Sequence, residues 1–571
     1  YDPMDIFTEY MVKALGHANQ KIVKDYATRS GEALDWMLAE LDPDYVAKYA
    51  HAVNYKGNKH FQNPCSHSYY YVGMTQWRDT GTETNTNNNM WPYTVRLLQQ
   101  KAVEKGCEYI YGAQGLTLVH ENGKVTGAIF TDIDGKYFQV NADAVIVAAG
   151  DFGGNPDMRL DLCDTLRNLA WSYGKDRTDV NNISSMGRDG SGIRMMLWAG
   201  ATMEAGPRAG QAAGINSRPS FPFGGIWPIF GNDGKRFFNE TITRHGSVGY
   251  LDMMPEGQKM VCVTDSNWDA YCEYQAYDHQ AMDRSNDYML EKVRKDMANY
   301  KTGPDGFSVQ AFARYGNDPT TLYAADTLEE LADIMGYEGD AKQGFLDEVK
   351  HWNEMCDAGY DSDWGADASM MHFKIQDPPF FAASSVTGGN PSGGLCQHAA
   401  VCTDGEYRVL TGAKAPIPGL YAVGNCCGQR YGVQYHTPTA GNSCGSAFVT
   451  GYLAAEYVKN DLDNGIGGEN SAEERTTNGK YYAGTYTSSK NSSYSTVTVT
   501  MTFSEDAITD CKITSSGNED LMKDDLRSSM AAAVVESQGD TSVDAITSST
   551  LSFSVKAVQE AVADCIAQAK A

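Results

Sequence analysis

The chain has 571 residues, 42% of them hydrophobic, and a formal net charge of −27 at pH 7. That length exceeds what one core supports and predicts two to four domains. The charge argues against nucleic acid, whose binding rests on cationic contacts to phosphates. It suits a secreted or periplasmic protein, or one docking to a basic redox partner. No run of about 18 apolar residues occurs, so the chain reads as lacking a membrane span and as not an integral membrane protein.

The thirteen cysteines include no Cys-x-x-Cys pair, which leaves a zinc ribbon or c-type haem attachment without support. They read as buried small hydrophobes, and no metal site is expected. The chain starts at Tyr1 with no basic n-region and no signal-peptide pattern, so it reads as a fragment or a processed product.

Phe7, Met11 and Leu15, then Ala33, Leu34, Trp36, Met37 and Leu38, recur at helical spacing within residues 1–50. The segment WPYTVRLLQQKAVEKG predicts a further helix closed by Gly106. Strands are expected next: CEYIYG (107–112), then an antiparallel meander turning at Asn122–Gly123 and Asp134–Gly135. Residues 142–150 (ADAVIVAAG) are an apolar run ending in small residues, the pattern of a buried parallel strand that feeds a cofactor. Residues 205–385 alternate glycine-rich turns with helices and predict a separate cap. PIPGLYAVGN (416–425) is a second buried strand, and AGNSCGSAF opens an apolar helix. A polar stretch at 463–477 reads as a linker. From Gly479 a new unit is predicted: an alternating strand at 496–503, a charged middle and two short helices.

In that last unit, residues 544–550 read DAITSST ahead of an apolar helix. Backbone N–H groups at such a helix start suit a phosphate, and a Ser/Thr-rich cap is the plainer alternative. The module 478–571 resembles the FMN-binding domain in which a threonine carries FMN through a phosphoester bond. That family's pattern is Asp, two residues, Ser or Thr, Gly, Ala, Thr. Asp544, Thr547 and Thr550 match it, while Ser548 and Ser549 stand in for Gly and Ala. GKYYAGTY, the 496–503 strand and the helix after Ser552 also fit. The resemblance implies covalent FMN on Thr550, with Asp544, Thr547 and Ser549 around it, and an FMN transferase for maturation.

Residues 1–460 resemble the fumarate reductase and succinate dehydrogenase flavoprotein family, which takes in soluble fumarate and urocanate reductases and ketosteroid dehydrogenases. ADAVIVAAGDFGGN (142–155), GRDGSGI (187–193), GNDGKRFFNETITR (231–244) and PIPGLYAVGN (416–425) carry the resemblance. It implies non-covalent FAD touched by Ala149, Gly150, Asp189, Gly190, Gly192, Gly424, Asn425, Gly441, Asn442 and Ser443. Small residues at strand ends and a helix N-terminus let the cofactor approach backbone. The family's opening Gly-x-Gly-x-x-Gly turn occurs nowhere in the chain. The expectation is that the native polypeptide extends roughly 60 or more residues upstream; a partner chain or lost FAD binding are the alternatives.

In that family an arginine in Asn-Glu-x-x-Thr-Arg protonates the substrate alkene. Asn239, Glu240, Thr243 and Arg244 match, so the resemblance makes Arg244 the acid. Its high pKa, above about 12, demands nearby charge and a proton relay. Fumarate reductases also carry a Glu, a second Arg, a His pair and a carboxylate-binding Arg. Here RPSFPFGGIWP (218–228) puts Ser220 and Phe223 near the first two, SSVTGGNPSGG (384–394) lacks His, and GQRYGVQYHTPTAGNS (428–443) puts Tyr435 near the last. A dicarboxylate needs paired cations to offset desolvation, so a larger, less charged enone or enoate is expected instead of fumarate. Arg430 is read as holding one carboxylate. Tyr431, Tyr435 and His436 are read as bonding a carbonyl or stacking on an aromatic substrate; packing around the flavin is the alternative for each.

The expected architecture is an α/β, Rossmann-like FAD-binding domain (1–204 and 386–462) with an inserted α+β capping domain (205–385), plus a small α+β FMN-binding domain (478–571). The expected enzyme is an extracytoplasmic oxidoreductase acting on CH–CH groups. Electrons would pass from an external cytochrome, quinone-linked or flavin donor through FMN to FAD and onto a small unsaturated substrate. Its rivals are a ketosteroid-dehydrogenase-like enzyme running the other way and an electron-transfer flavoprotein without its own substrate.

Overall fold

The structure is a computed structural model. It describes residues 3–52, 75–77, 90–121, 123–164, 167–168, 171, 174, 188–208, 210–211, 219, 221–223, 227–240, 254–274, 287–309, 319–366, 368, 371–388, 396–433, 435, 442–465, 479–491, 495–517, 523–547 and 552–570. Contacts divide the chain into two compact units, 1–468 and 469–571. The division falls inside the polar stretch 463–477.

Two apolar runs far apart in sequence organise the first unit. Strand Val145–Val147 pairs in parallel with strand Pro416–Ala422, setting Leu420 beside Val145 and Ala422 beside Val147. Arg408–Leu410 adds an antiparallel neighbour on the outer side. The expected meander lies alongside as Gln114–Glu121, Lys124–Thr131 and Tyr137–Asn141. Gly123 and Gly135, both at φ +79°, make its two turns. Val125, Ala128, Val147, Ile193, Met196, Val409 and Leu420 form the core these strands share with helix Ser191–Trp198.

Residues 107–112 form no strand, contrary to the sequence expectation. A strand needs an edge to pair with. Here Tyr109, Ile110 and Tyr111 stay 45%, 59% and 75% exposed, and the two tyrosine rings stack on each other 6.2 Å apart.

The helices expected in the first fifty residues are Pro3–Lys13, Gln20–Ala39 and Pro43–Tyr49. Tyr10, Ile22, Val23 and Tyr26 pack the first two against Val449 and Leu453 of helix Asn442–Asp463, and Tyr45, Val46 and Tyr49 of the third pack with Met37 and Leu41. Residues 205–385 hold more strand than expected. Five antiparallel strands run in the order Gly303–Val309, Thr320–Ala325, Phe380–Val386, Lys259–Thr264, Ile229–Phe230. They share a separate core with helices Leu328–Ile334 and Gly339–Ala358, centred on Val261, Leu322, Phe345 and Trp352.

The second unit folds three antiparallel strands, Gly484–Asn491, Ser495–Phe503 and Ile508–Gly517, with helices Asp524–Glu536 and Ser552–Ala569. Val497, Val499, Met501 and Phe503 are buried, while the alternate threonines pair across strands, as at Thr487–Thr500. The charged middle is therefore a strand. Its inward residues Ile508, Cys511 and Ile513 share that core, and the charges lie between them. Among the described residues the closing helices number three, counting the single turn Asp544–Thr547, and the last runs 18 residues.

Gly192 sits where helix Ser191–Trp198 crosses strand Val145–Val147. A Cβ there would lie 2.7 Å from Ala149 Cβ and 2.9 Å from Val147 Cγ1. Gly192→Ala is expected to destabilise the first unit by about 1–3 kcal/mol. Gly451→Ala, in an open helical position with nothing within 4 Å, is expected to gain about 0.5–1 kcal/mol. Urea unfolding of the two variants checks both signs.

Candidate functional site

The carboxyl ends of two parallel strands are where open α/β sheets bind ligands. Here both ends run into glycine turns: Ala149–Gly150 after the first strand and Gly424–Asn425 after the second, with Gly150 at φ +84° and Gly424 at φ +57°. The two turns are tied together. The Val423 N–H donates to the Val147 carbonyl at 3.1 Å, and Cys426 Sγ to the Gly150 carbonyl at 3.1 Å. Asn425 Nδ2 reaches Asp151 Oδ2 at 3.3 Å.

Asp151 is buried and organises the surrounding backbone. Its Oδ1 accepts the N–H groups of Gly153 at 2.7 Å and Arg188 at 3.1 Å. Burial raises its carboxyl above the usual range. The Gly190 N–H returns to the Asp151 carbonyl at 3.1 Å. Gly190, at φ +77°, begins helix Ser191–Trp198, and Asp189 Oδ1 accepts the first-turn N–H of Ser191 at 3.0 Å. That hydrogen bond, against a smaller desolvation effect, holds Asp189 below the usual carboxylate range.

The far wall is helix Asn442–Asp463. Asn442 is fully buried and accepts the Tyr10 hydroxyl at Oδ1, 3.2 Å away. The Ser443 N–H donates to the Tyr435 hydroxyl at 3.1 Å. Arg430, also buried, spreads its guanidinium over four acceptors: the Cys427 carbonyl (3.0 Å), the Tyr431 hydroxyl (3.1 Å), Ser446 Oγ (3.1 Å) and Asn425 Oδ1 (2.6 Å). It therefore links the strand-end turn to the helix and is spent on protein acceptors. Over this frame lies an aromatic stack: His398 sits 4.6 Å from Tyr435, nearly parallel, and 4.5 Å from Tyr431. Tyr10 also stacks on Tyr431, ring centroids 6.2 Å apart.

The structure thus brings Ala149, Gly150, Asp189, Gly190, Gly192, Gly424, Asn425, Asn442 and Ser443 into one connected set with Arg430, Tyr431 and Tyr435. Arg244, His436 and Gly441 lie outside the described residues, as do Ser549 and Thr550. In the second unit Asp544 opens the turn Asp544–Thr547, and Thr547 Oγ1 donates to the Val543 carbonyl at 3.2 Å. Asn239 and Glu240 are anchored on the five-stranded sheet side. Buried Arg236 bonds Glu240 (2.6 Å) and Asp361 (2.9 Å) and lies over the Trp352 ring; Glu240 also accepts the Ile229 N–H at 2.9 Å. Phe223 is core, 4.3 Å from the Trp268 ring. Tyr10, Asp151, Glu204 and His398 were missed in the sequence; none belongs to a short motif, though Asp151 stands inside the stretch 142–155.

A cradle of small residues, three left-handed glycines (Gly150, Gly190 and Gly424) and two helix starts fits a dinucleotide whose phosphates need backbone donors. A family model described as "FAD binding domain" matches residues 2–444, and the chain belongs to that family. It is similar to 4-oxocyclohexanecarboxylate 2-dehydrogenase of Sinomonas cyclohexanicum, 24% identical over 394 residues, covering 66% of this chain and 63% of the relative. It is also similar to vinyl phenol reductase of Lactiplantibacillus plantarum, 27% identical over 389 residues, covering 63% of this chain and 70% of the relative. The chain therefore spans less than two thirds of the first of these relatives. A solved 3-ketosteroid-Δ4-(5α)-dehydrogenase from Rhodococcus jostii, in complex with 4-androstene-3,17-dione, shares the fold. The TM-score is 0.50 at 17% identity, covering 80% of this chain and 83% of that one.

Arg430→Lys replaces a planar fork with a point donor that cannot span the same four acceptors. The expected result is roughly tenfold weaker FAD binding, about 1.4 kcal/mol, measured by flavin fluorescence titration.

Proposed function

We propose that this chain is an FAD-dependent reductase of an activated carbon–carbon double bond, an enone or enoate in preference to fumarate. One observation carries the substrate class. Arg430 is committed to protein acceptors, and Arg208 likewise bonds the Glu204 and Leu162 carbonyls and Asp164. The surface beside the strand-end turns is built from His398, Tyr431 and Tyr435. Such a surface suits a neutral or aromatic substrate better than a dicarboxylate, which needs paired cations. The names of the two relatives above, a reductase of a vinyl phenol and a dehydrogenase of an oxocyclohexane carboxylate, support the same class.

Bound at the strand ends, FAD would supply a hydride from N5 to one alkene carbon. Arg244 would give a proton to the other. The Glu240–Arg236–Asp361 network anchors the chain four residues before Arg244. The proposal extends to the second unit: FMN, joined to Thr550 by a transferase, receives electrons from an external cytochrome, quinone-linked or flavin donor and passes them to FAD. The residues 205–385 act as the cap over the substrate, and the enzyme works outside the cytoplasmic membrane.

A dehydrogenase running oppositely is the second reading, favoured by the name of the first relative. Anaerobic assays with reduced viologen and alkenes, and with dye acceptors and saturated ketones, separate the two directions. Arg244→Ala is expected to lower alkene turnover at least about 100-fold while FAD stays bound; near wild-type rates would remove Arg244 from the chemistry. For the second unit, intact mass of protein made with its flavin transferase is expected to rise by one FMN, and Thr550→Ala to prevent it. An unmodified Thr550 in native protein would contradict the tethered flavin.

A further inference from the structure

We propose that Glu204 is the positioning residue of this site. Its carboxylate clamps the left-handed turn at Gln429 to the segment at Ala400, and the clamp sets Tyr431 and Tyr435 for substrate while holding Arg430 on its protein acceptors. The inference rests on the FAD-site reading above.

Glu204 is 7% exposed. One carboxylate oxygen accepts the Ala400 N–H at 3.0 Å, and the other accepts the Gln429 N–H. Gln429 sits at φ +59°, a conformation that side-chain-bearing residues adopt rarely and that surrounding bonds must hold. Its carbonyl accepts the Asn19 N–H at 2.7 Å, and the preceding Gly428 N–H donates to the Val401 carbonyl at 2.8 Å. Further on, Gly432 lies against Ala14: a Cβ there would come 2.5 Å from the Ala14 carbonyl oxygen. The turn 428–432 is thus pinned by backbone at Asn19, Val401 and Ala14 as well as by the Glu204 carboxylate.

The charged and titratable groups facing it are Arg430, Cys427, Tyr431 and Tyr435 from the turn, His398 from the neighbouring segment, and Arg208 from its own. Burial pushes its carboxyl up to about 7, against the pull of the two N–H groups and the two arginines. The ionised form accepts strongly from both N–H groups; protonation gives one oxygen an O–H, makes it the weaker acceptor and loosens that side of the clamp. The clamp therefore closes as pH rises through about 7. Stability runs the other way. A carboxyl whose folded pKa is raised contributes most below its ordinary range, about 4.5, and that contribution is lost as pH rises through about 7.

The test is Glu204→Gln in the full flavin-loaded chain, with wild type alongside, from pH 5.5 to 8.5. In wild type, kcat/KM for the alkene is expected to rise with an inflection near 7, while the melting temperature falls across the same window. In the Gln variant both inflections are expected to vanish, KM to rise about tenfold, and FAD to remain bound. A variant that keeps the inflection and the wild-type KM overturns the proposal. So does one that loses FAD and turnover together at every pH. If the variant fails to fold, the wild-type flavin absorption band decides: a shift with a midpoint near 7 supports the clamp, and an invariant band overturns it. Failure to reduce any alkene would sink the reductase reading alone, because the flavin-band and melting titrations still judge Glu204.

Discussion

The parallel register of Val145–Val147 with Pro416–Ala422 is the constraint on which the rest of the first unit depends. Parallel strands cannot be joined by a tight turn, so intervening chain must leave and return. Here it carries the five-stranded sheet and its own core. The register decides which residues meet at the carboxyl ends. Slipping it by one would turn Leu420 and Ala422 to the opposite face and carry Gly424 and Asn425 out of line with Gly150 and Asp151. Helix Ser191–Trp198 seats against the first strand only because Gly192 has no side chain there.

Polar groups in this frame are buried but matched. Arg430 and Arg236 are both almost wholly enclosed, and each is bonded on several sides. A buried charge without such partners costs several kcal/mol, about 3–5 when one member of a pair is removed. The two arginines differ in what surrounds them. Arg236 faces two carboxylates and stabilises the sheet side. Arg430 bonds a carbonyl, two hydroxyls and an amide. The Glu204 carboxylate accepts the N–H of the adjacent Gln429 and is pulled down by the Arg430 charge. That arrangement keeps a cation beside the candidate flavin site without offering its donors to a substrate carboxylate.

Much of this was legible in the sequence, for particular reasons. Apolar runs ending in small residues at 142–150 and 416–425 reported parallel strands, but only the second is largely buried; Ile146 of the first is 40% exposed, so that strand is covered mainly on one face. Asn122–Gly123 and Asp134–Gly135 reported turns because the glycines take positive φ. The strand expected at 107–112 does not form: Tyr109, Ile110 and Tyr111 are all exposed and no described edge pairs with them. The strand at 508–517 was obscured because charged residues occupy its solvent face between Ile508, Cys511 and Ile513. The cluster of Tyr10, Glu204 and His398 was illegible. Each is a single residue in an ordinary stretch, and only the fold brings the first helix, the 204 segment and the 398–435 region together. Arg430 was read as holding a substrate carboxylate, and its four protein acceptors were not legible.

The account's central claim is that FAD is held at the carboxyl ends of the two parallel strands. Hydrogen–deuterium exchange on the full chain, with and without FAD, tests it directly. Protection on FAD binding is predicted in peptides covering 145–154, 188–194 and 422–446, with little change in 484–517 or in the five-stranded sheet. Protection absent from those three peptides, or concentrated elsewhere in the chain, would contradict it.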